Sequence, residues 1–422
     1  MITSSYTLKY SPLKRSASLE IPTSKSISNR LLILKETYNQ NLIINKLSEA
    51  NDTQLLSALL SEIKIHHSRS SEEKEINTHN CGTAFRFLCA YLCFQKGRWL
   101  LTGSEEMKNR PIKGLVDSLR SCGADIHYLE KEGFPPLKIN VLQPLSVNEE
   151  LFIDSEQSSQ FVSALLLVLP LLKKDIQITF PANNASFSYI QMTVRLMQDV
   201  GISIVLKDNT ISYFHSTSLK KKQIITVNAD WSSAAYWFTW VALHPESEIF
   251  IKNLKKCNIQ SDSIIEDIVK PCGVETHYLH NGILIKKTNN IIPSFLSLNA
   301  SNYLDLVPTL AVLCCGLNIK AKISGIRNLV FKESNRLQAL IVELNKIAHL
   351  QSDKNTLEIT PLNKNKIFNP FFTTYNDHRI AMSLSLLAGY FPEIQIENPD
   401  CVLKSYPNFW ENLRTVGVNI SS

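Results

Sequence analysis

The sequence predicts an α/β protein of two domains, each assembled from three small βαβ-type units with mixed strands. A pattern recurs along the chain in which an amphipathic helix ends in glycine and a short alternating strand follows. The copies are spaced at a near-constant interval. That interval, close to 72 residues, suits a compact βαβ unit and is too long for a solenoid repeat.

LLSALLSEIKIHH, around Glu62, supplies the first copy. LVDSLRSCGADIHYL places Leu115, Val116, Leu119 and Cys122 on one helical stripe before Gly123. TVRLMQDVGISIVL repeats this up to Gly201, and IIEDIVKPCGVETHYL up to Gly273. FWENLRTVGVNI closes the series with Phe409, Trp410, Leu413 and Val416 ahead of Gly417. Glycine just past a helix end permits the left-handed turn that redirects the chain. The four glycines stand 78, 72 and 144 residues apart, so the doubled interval hides a copy without its glycine. ALIVELNKIAHLQ, around Ala348, fits that place, giving six units arranged as two domains of three. Helix, glycine and strand is also a common local grammar, and unrelated units would show it too.

Composition bounds the function. Hydrophobic residues at 44% and charged residues at 19% of 422 describe an ordinary globular protein. The net charge of +6 comes without a long Lys/Arg block, which favours a pocket for small anions over a nucleic-acid surface. Nine scattered cysteines without a CxxC pair read as buried free thiols in a reducing compartment. MITSSYTLKYSPLKR has no apolar core, so no signal peptide is expected. The longest apolar run, Phe161 to Leu172, holds 12 residues and includes Pro170, short of the ~20 that span a bilayer. A cytoplasmic protein without membrane contact is expected.

Candidate chemistry gathers at helix entrances. IPTSKSISNRLLILK sets Ser24, Lys25 and Ser26 before an apolar run with Arg30 one turn on, where free N–H groups, hydroxyls and cations suit a phosphate. Alone, a solvated Ser/Lys cap explains that segment better. NCGTAFRF brings Gly82 to a turn entering a helix, and Arg110 precedes another. Ser158, Ser159 and Gln160 stand at the mouth of a long buried helix, and Ser186 and Tyr189 repeat the theme. Asp230 reads as an N-cap. Asp305 edges the apolar helix DLVPTLAVLCC. KESNR places Lys332 and Arg336 around Glu333, favouring its ionised form unless burial opposes it. Asp377, His378 and Arg379 precede a further apolar helix, and Lys404 follows Cys401. No Cys/His metal spacing, GxGxxG or Walker loop is present. Together these residues point to an enzyme for small polyanions without metal or cofactor, using Lys and Arg for charge and Asp and Glu for proton transfer.

The motifs PxSKSxSNR, NxGTAxR, RPIxxLVDxL, SSQFxxALL, SxxYI, KExxRL and YNDHRxAM occur in this order from about Leu8 to Leu413. In that order the chain resembles the 5-enolpyruvylshikimate-3-phosphate synthases. The resemblance implies an inside-out α/β barrel of two domains, each of three βαβαββ-like units, joined by two crossovers and closing on substrate. The discontinuous domain would hold residues 1–22 and 228–422, the other 23–227. The implied reaction moves the enolpyruvyl group of phosphoenolpyruvate to shikimate 3-phosphate, in aromatic amino acid biosynthesis.

Carried over by motif, Lys25, Ser26, Arg30, Ser158, Ser159, Gln160, Ser186 and Tyr189 would bind shikimate 3-phosphate, with Asp305, Asn328 and Lys332. Lys25, Gly82, Arg110, Gln160, Arg336, Arg379 and Lys404 would surround phosphoenolpyruvate. Asp305 would help deprotonate the attacking hydroxyl and Glu333 would protonate the methylene carbon. Lys25, His378 and Lys404 would complete the catalytic set. The resemblance implies a monomer acting on small anions. Thr23 departs from the customary glycine, Phe187-Ser188 from Lys-Pro, Asn335 from Asp and Phe87 from proline. The sister transferase acting on UDP-N-acetylglucosamine carries a loop cysteine near the position of Arg110, and GSEEMKNRPIKG has none.

Overall fold

Alternation of apolar and polar residues builds the sheets. In Leu137–Val141 the side chains of Leu137, Ile139 and Val141 are buried and Lys138 and Asn140 turn outward. The computed structural model describes residues 4–11, 16–67, 72–143, 145, 147–182, 186–216, 222–245, 247–256, 259–289, 291–362 and 369–422. They divide into two compact units, one of residues 1–24, 49–51 and 228–422, the other of residues 25–48 and 52–227.

Five sheets share one topology. Glu73–Asn77 runs parallel to Gly97–Thr102, which pairs antiparallel with Leu137–Val141, itself antiparallel to Asp125–Tyr128. Helix Gly82–Leu92 connects the parallel pair, as parallel strands require. Helix Lys113–Ser121 then leads through Gly123, at φ 88°, into the outer hairpin strand. Strand order and sense recur in the sheet of Glu150–Phe152, Ile176–Thr179, Thr210–Phe214 and Ser203–Lys207. The same βαβαββ order builds three sheets in the other unit. Ser5–Tyr10 lies between Ile394–Glu397 and Val418–Ser421, and Ser16–Glu20 runs parallel to Glu248–Lys252. The first two strands thus complete sheets whose other members come from the far end of the chain, which makes that unit discontinuous. Among the described residues the sixth sheet is a parallel pair, Leu42–Asn45 with Gln223–Thr226.

Each unit is centred on helices that are apolar on all sides and are therefore buried. Trp231–Leu243 and Val307–Gly316 pack together in one unit, and Gln160–Val168 packs against Lys25–Thr37, Gly82–Leu92 and Phe187–Asp199 in the other. Gly201, Gly273 and Gly417 adopt the left-handed conformation expected of them. Three expectations need correction. The long helix from Phe161 ends at Val168 and tightens to a 3-10 turn, Leu169–Leu172, because Pro170 supplies no N–H. Before Gly273 the helix is only Ile265–Val269, flanked by 3-10 turns, the second containing Pro271. Asp305 sits in its own 3-10 turn, Leu304–Leu306, and Pro308 opens the helix after it. The copy without glycine closes differently: the Asn345 side chain accepts from Leu350 N at 2.7 Å as Arg336–Leu344 gives way to Ala348–Ser352.

Eight cysteines are free and buried, and Cys257 lies outside the described residues. Among the described residues no helix is long and apolar enough to cross a membrane.

Gly114 marks a close approach in the Lys113–Ser121 helix, where an added Cβ would stand 2.0 Å from the Asp154 carbonyl oxygen. Alanine gains at most ~1 kcal/mol of helix propensity, and a main-chain oxygen cannot rotate away. Gly114→Ala is therefore expected to destabilise by about 1–3 kcal/mol, read as a lower urea midpoint. An unchanged or raised midpoint would refute the contact.

Candidate active site

In the unit of residues 25–48 and 52–227, the helix Lys25–Thr37 presents two cations in different surroundings. Lys25 Nζ pairs with Asp52 at 2.9 Å. Arg30 is buried and donates to neutral oxygens: Nε to Thr193 Oγ1 at 2.7 Å, Nη1 to the Ser26 carbonyl at 2.9 Å and Nη2 to Ser163 Oγ at 3.2 Å. Its guanidinium lies 5.5 and 5.6 Å from the ring centres of Phe87 and Tyr189. Burial lowers its pKa to about 10, which leaves it charged at neutral pH.

Two more guanidinium groups converge over Gly82. A Cβ there would meet Arg110 Nη1 at 2.5 Å and Arg86 Nη1 at 2.7 Å. Arg86 donates to Gln160 Oε1 at 2.9 Å and to the Pro111 carbonyl at 3.2 Å, while Gln160 Nε2 donates to Thr83 Oγ1 at 3.2 Å. Arg110 Nε and Nη1 are buried without a protein partner. Like charges gathered this way repel unless an anion joins them, so the bare backbone at Gly82 has the character of an anion cradle. Ser159 and Ser186 are buried at the N-caps of Gln160–Val168 and Phe187–Asp199, and neither hydroxyl is spent on capping. Ser158 Oγ accepts from Gln160 N at 3.3 Å.

The other unit gathers its charges around Arg336, the fully buried first residue of Arg336–Leu344. Its Nε donates to Asp377 Oδ2 at 2.8 Å, Nη1 to Asp305 Oδ1 at 2.8 Å and Nη2 to Glu333 Oε2 at 2.6 Å. Asp305 also meets Arg379 Nη2 at 3.1 Å and Lys332 Nζ at 3.2 Å. Burial pushes the Asp305 carboxyl up, but Arg379, Lys332 and Arg336 together hold it well below the usual carboxylate range. The sequence placed Lys332 around Glu333; the fold carries it across to Asp305. Asp377 caps the helix His378–Ser385 through Arg379 N at 2.9 Å and accepts from Ser334 Oγ at 3.1 Å. Asn335 Oδ1 caps Arg336–Leu344 through Gln338 N at 3.1 Å, so the amide serves as the cap acceptor.

Asn328 is buried in the 3-10 turn Arg327–Phe331, and His378 is buried with Nδ1 3.8 Å from Asp377 Oδ1. Lys404 ends the 3-10 turn Pro399–Lys404, which packs on His378–Ser385. Behind Asp305, Asp262 accepts from Ser232 Oγ, and burial pushes its carboxyl up to about 6.

Sequence reasoning missed Asp52, Arg86, Ser163, Thr193 and Asp262, and assigned Asp377 no role. Arg86 was findable, one helical turn after Gly82. Ser163 and Thr193 face Arg30 from other helices and carry no local signal.

The family model for EPSP synthase (3-phosphoshikimate 1-carboxyvinyltransferase) matches residues 10–413. A Bacteroides fragilis protein named 3-phosphoshikimate 1-carboxyvinyltransferase is 35% identical over 417 residues, covering 97% of each chain. The EPSP synthase structure from Acinetobacter baumannii superimposes with a TM-score of 0.74 at 19% identity, covering 99% of this chain and 100% of that one. The enolpyruvyl transferase NikO from Streptomyces tendae gives a TM-score of 0.71 at 14% identity, covering 99% of both. These likenesses show a two-domain α/β fold.

Because Asp305 is held below its unfolded pKa, its stabilisation is full above ~4 and is lost progressively as pH falls from there toward its lowered folded value. Between pH 5 and pH 3 the wild type is therefore expected to lose stability more steeply than Asp305→Asn. The difference approaches ~1.4 kcal/mol per pH unit at most. Denaturant midpoints over that range decide it, and parallel slopes would count against the clamped carboxylate.

Proposed function

Because the chain belongs to the EPSP synthase family, we propose that it is a 3-phosphoshikimate 1-carboxyvinyltransferase. It moves the enolpyruvyl group of phosphoenolpyruvate to the 5-hydroxyl of shikimate 3-phosphate and releases phosphate. The observation that carries the reading within the site is Arg336 holding Asp305 and Glu333 together, at 2.8 and 2.6 Å. Asp305 is also met by Arg379 and Lys332, so one anchor sets two carboxylates in place to give and to take a proton.

In this reading Glu333 protonates the methylene carbon of phosphoenolpyruvate and generates an oxocarbenium-like centre. The 5-hydroxyl adds as Asp305 takes its proton, forming a tetrahedral ketal that then loses phosphate and a methyl proton. With three cations upon it Asp305 is a weak base. Substrate carboxylate and phosphate groups compete for Arg379 and Lys332, and drawing these away raises the basicity of Asp305. Anion binding would thus switch on the base.

Lys25, Ser26, Arg30, Ser158, Ser159, Gln160, Ser186 and Tyr189 take shikimate 3-phosphate, with Asp305, Asn328 and Lys332. Gly82, Arg110, Arg336, Arg379 and Lys404 take phosphoenolpyruvate, and Lys25 and Gln160 contact both substrates. His378 and Lys404 assist the proton transfers. Domains run over residues 1–22 with 228–422, carrying three βαβαββ sheets, and over 23–227, carrying two and the parallel strand pair among the described residues. The protein acts as a monomer without a cofactor, and its buried free thiols support a cytoplasmic setting.

Phosphate release measured with phosphoenolpyruvate and shikimate 3-phosphate, beside UDP-N-acetylglucosamine as acceptor, tests the reading. Turnover is expected only with shikimate 3-phosphate, and turnover only with the sugar nucleotide would reverse it. Glu333→Gln is expected to keep substrate affinity within a few-fold and to lower kcat by about 10²–10⁴. Undiminished turnover in that variant would remove Glu333 as the acid.

A further inference from the structure

The turn that carries Asp377, His378 and Arg379 is strained. Tyr375 and Asn376 both lie in the left-handed region, at φ 54° and 55°. Asparagine tolerates that conformation, but tyrosine adopts it rarely, and two such residues in succession persist only where their surroundings hold them. One side chain supplies much of that hold. Glu343, buried in the helix Arg336–Leu344, accepts from Thr373 N at 3.1 Å and from Tyr375 Oη at 3.0 Å. Lys346 balances its charge at 2.5 Å and donates to the Phe371 carbonyl at 2.7 Å. On the far side Asn398 Nδ2 donates to Asn376 Oδ1 at 3.1 Å.

Residues 336 and 343 are seven apart, two helical turns, and so share a face. The helix therefore grips one short segment twice. Its first residue, Arg336, holds Asp377, and Glu343 holds Thr373 and Tyr375. Asp377 in turn fixes the main chain of Arg379, whose guanidinium reaches Asp305.

Resting on the functional reading above, we propose that Glu343 is a positioning residue, which sets Arg379 against Asp305 by holding the Thr373–Asp377 turn in its left-handed form. It touches neither substrate nor reacting atoms. Its effect falls on the donor anion that Arg379 is assigned to bind. A neutral amide in its place keeps the shape but cannot accept from both Thr373 and Tyr375 with the same strength.

Glu343→Gln and Tyr375→Phe, singly and together, test this in the full chain. The expected result is a rise in the KM for phosphoenolpyruvate on the order of tenfold in Glu343→Gln, with the KM for shikimate 3-phosphate within twofold. The double variant is expected to be no worse than the worse single one, because both remove the same hold. Hydrogen–deuterium exchange should show faster exchange at the Thr373 amide in Glu343→Gln, with the amides of Val307–Gly316 unaltered. Unchanged exchange at Thr373 would overturn the proposal. So would a parallel loss for both substrates alongside a general fall in Tm, the mark of a residue that only stabilises the fold. A wild type without turnover on these substrates would sink the functional reading, leaving the exchange result to decide this one.

Discussion

A single buried guanidinium organises half of the chemistry. Arg336 is removed from water, and an ion in that position costs several kcal/mol unless its partners are charged and well placed. The fold meets this with Asp305, Glu333 and Asp377, which come from a 3-10 turn, the segment before a helix and a helix cap. Each must stay in place for the others to be compensated. The planar fork of arginine can bind several carboxylates at fixed angles, which the point charge of lysine cannot do with the same geometry. With Lys332 and Arg379 added, three carboxylates face three cations. The cluster is balanced within the protein.

The other unit shows the opposite electrostatics. Arg30 is ringed by hydroxyl and carbonyl oxygens, and Arg110 converges with Arg86 over Gly82 while two of its nitrogens lack a protein partner. Cations gathered beside bare main chain and helix N-termini favour an incoming phosphate or carboxylate. One unit thus holds cations on neutral oxygens, and the other holds carboxylates paired with cations.

These arrangements rest on repetition. The βαβαββ unit places helix N-termini and short turns at recurring positions, and the chemistry sits at those ends: Lys25, Gly82, Ser159, Ser186, Asp305, Arg336 and His378. Much of this was legible because helix capping and glycine turns are local. Gly123, Gly201, Gly273 and Gly417 announced helix ends, and Asp230 and Asp377 cap as short polar residues before apolar runs do. Prolines confounded the reading where periodicity outweighed them: Pro170 and Pro271 convert expected helix into 3-10 turns.

By itself the sequence determined the α/β class, the recurring unit, the helix entrances that carry polar residues and, through its ordered motifs, the family. Each of these depends on residues within a few positions of one another. Only the tertiary structure decided which charges meet. Lys332 lies next to Glu333 in the chain yet pairs with Asp305, and Arg30 draws on Ser163 and Thr193 from distant helices. Glu343 reads as one more surface-type residue of an amphipathic helix until the fold buries it against the 373–377 turn. The physical reason is common to all three. A charge is placed by the balance of desolvation and partner geometry, and those partners exist only once the units have folded.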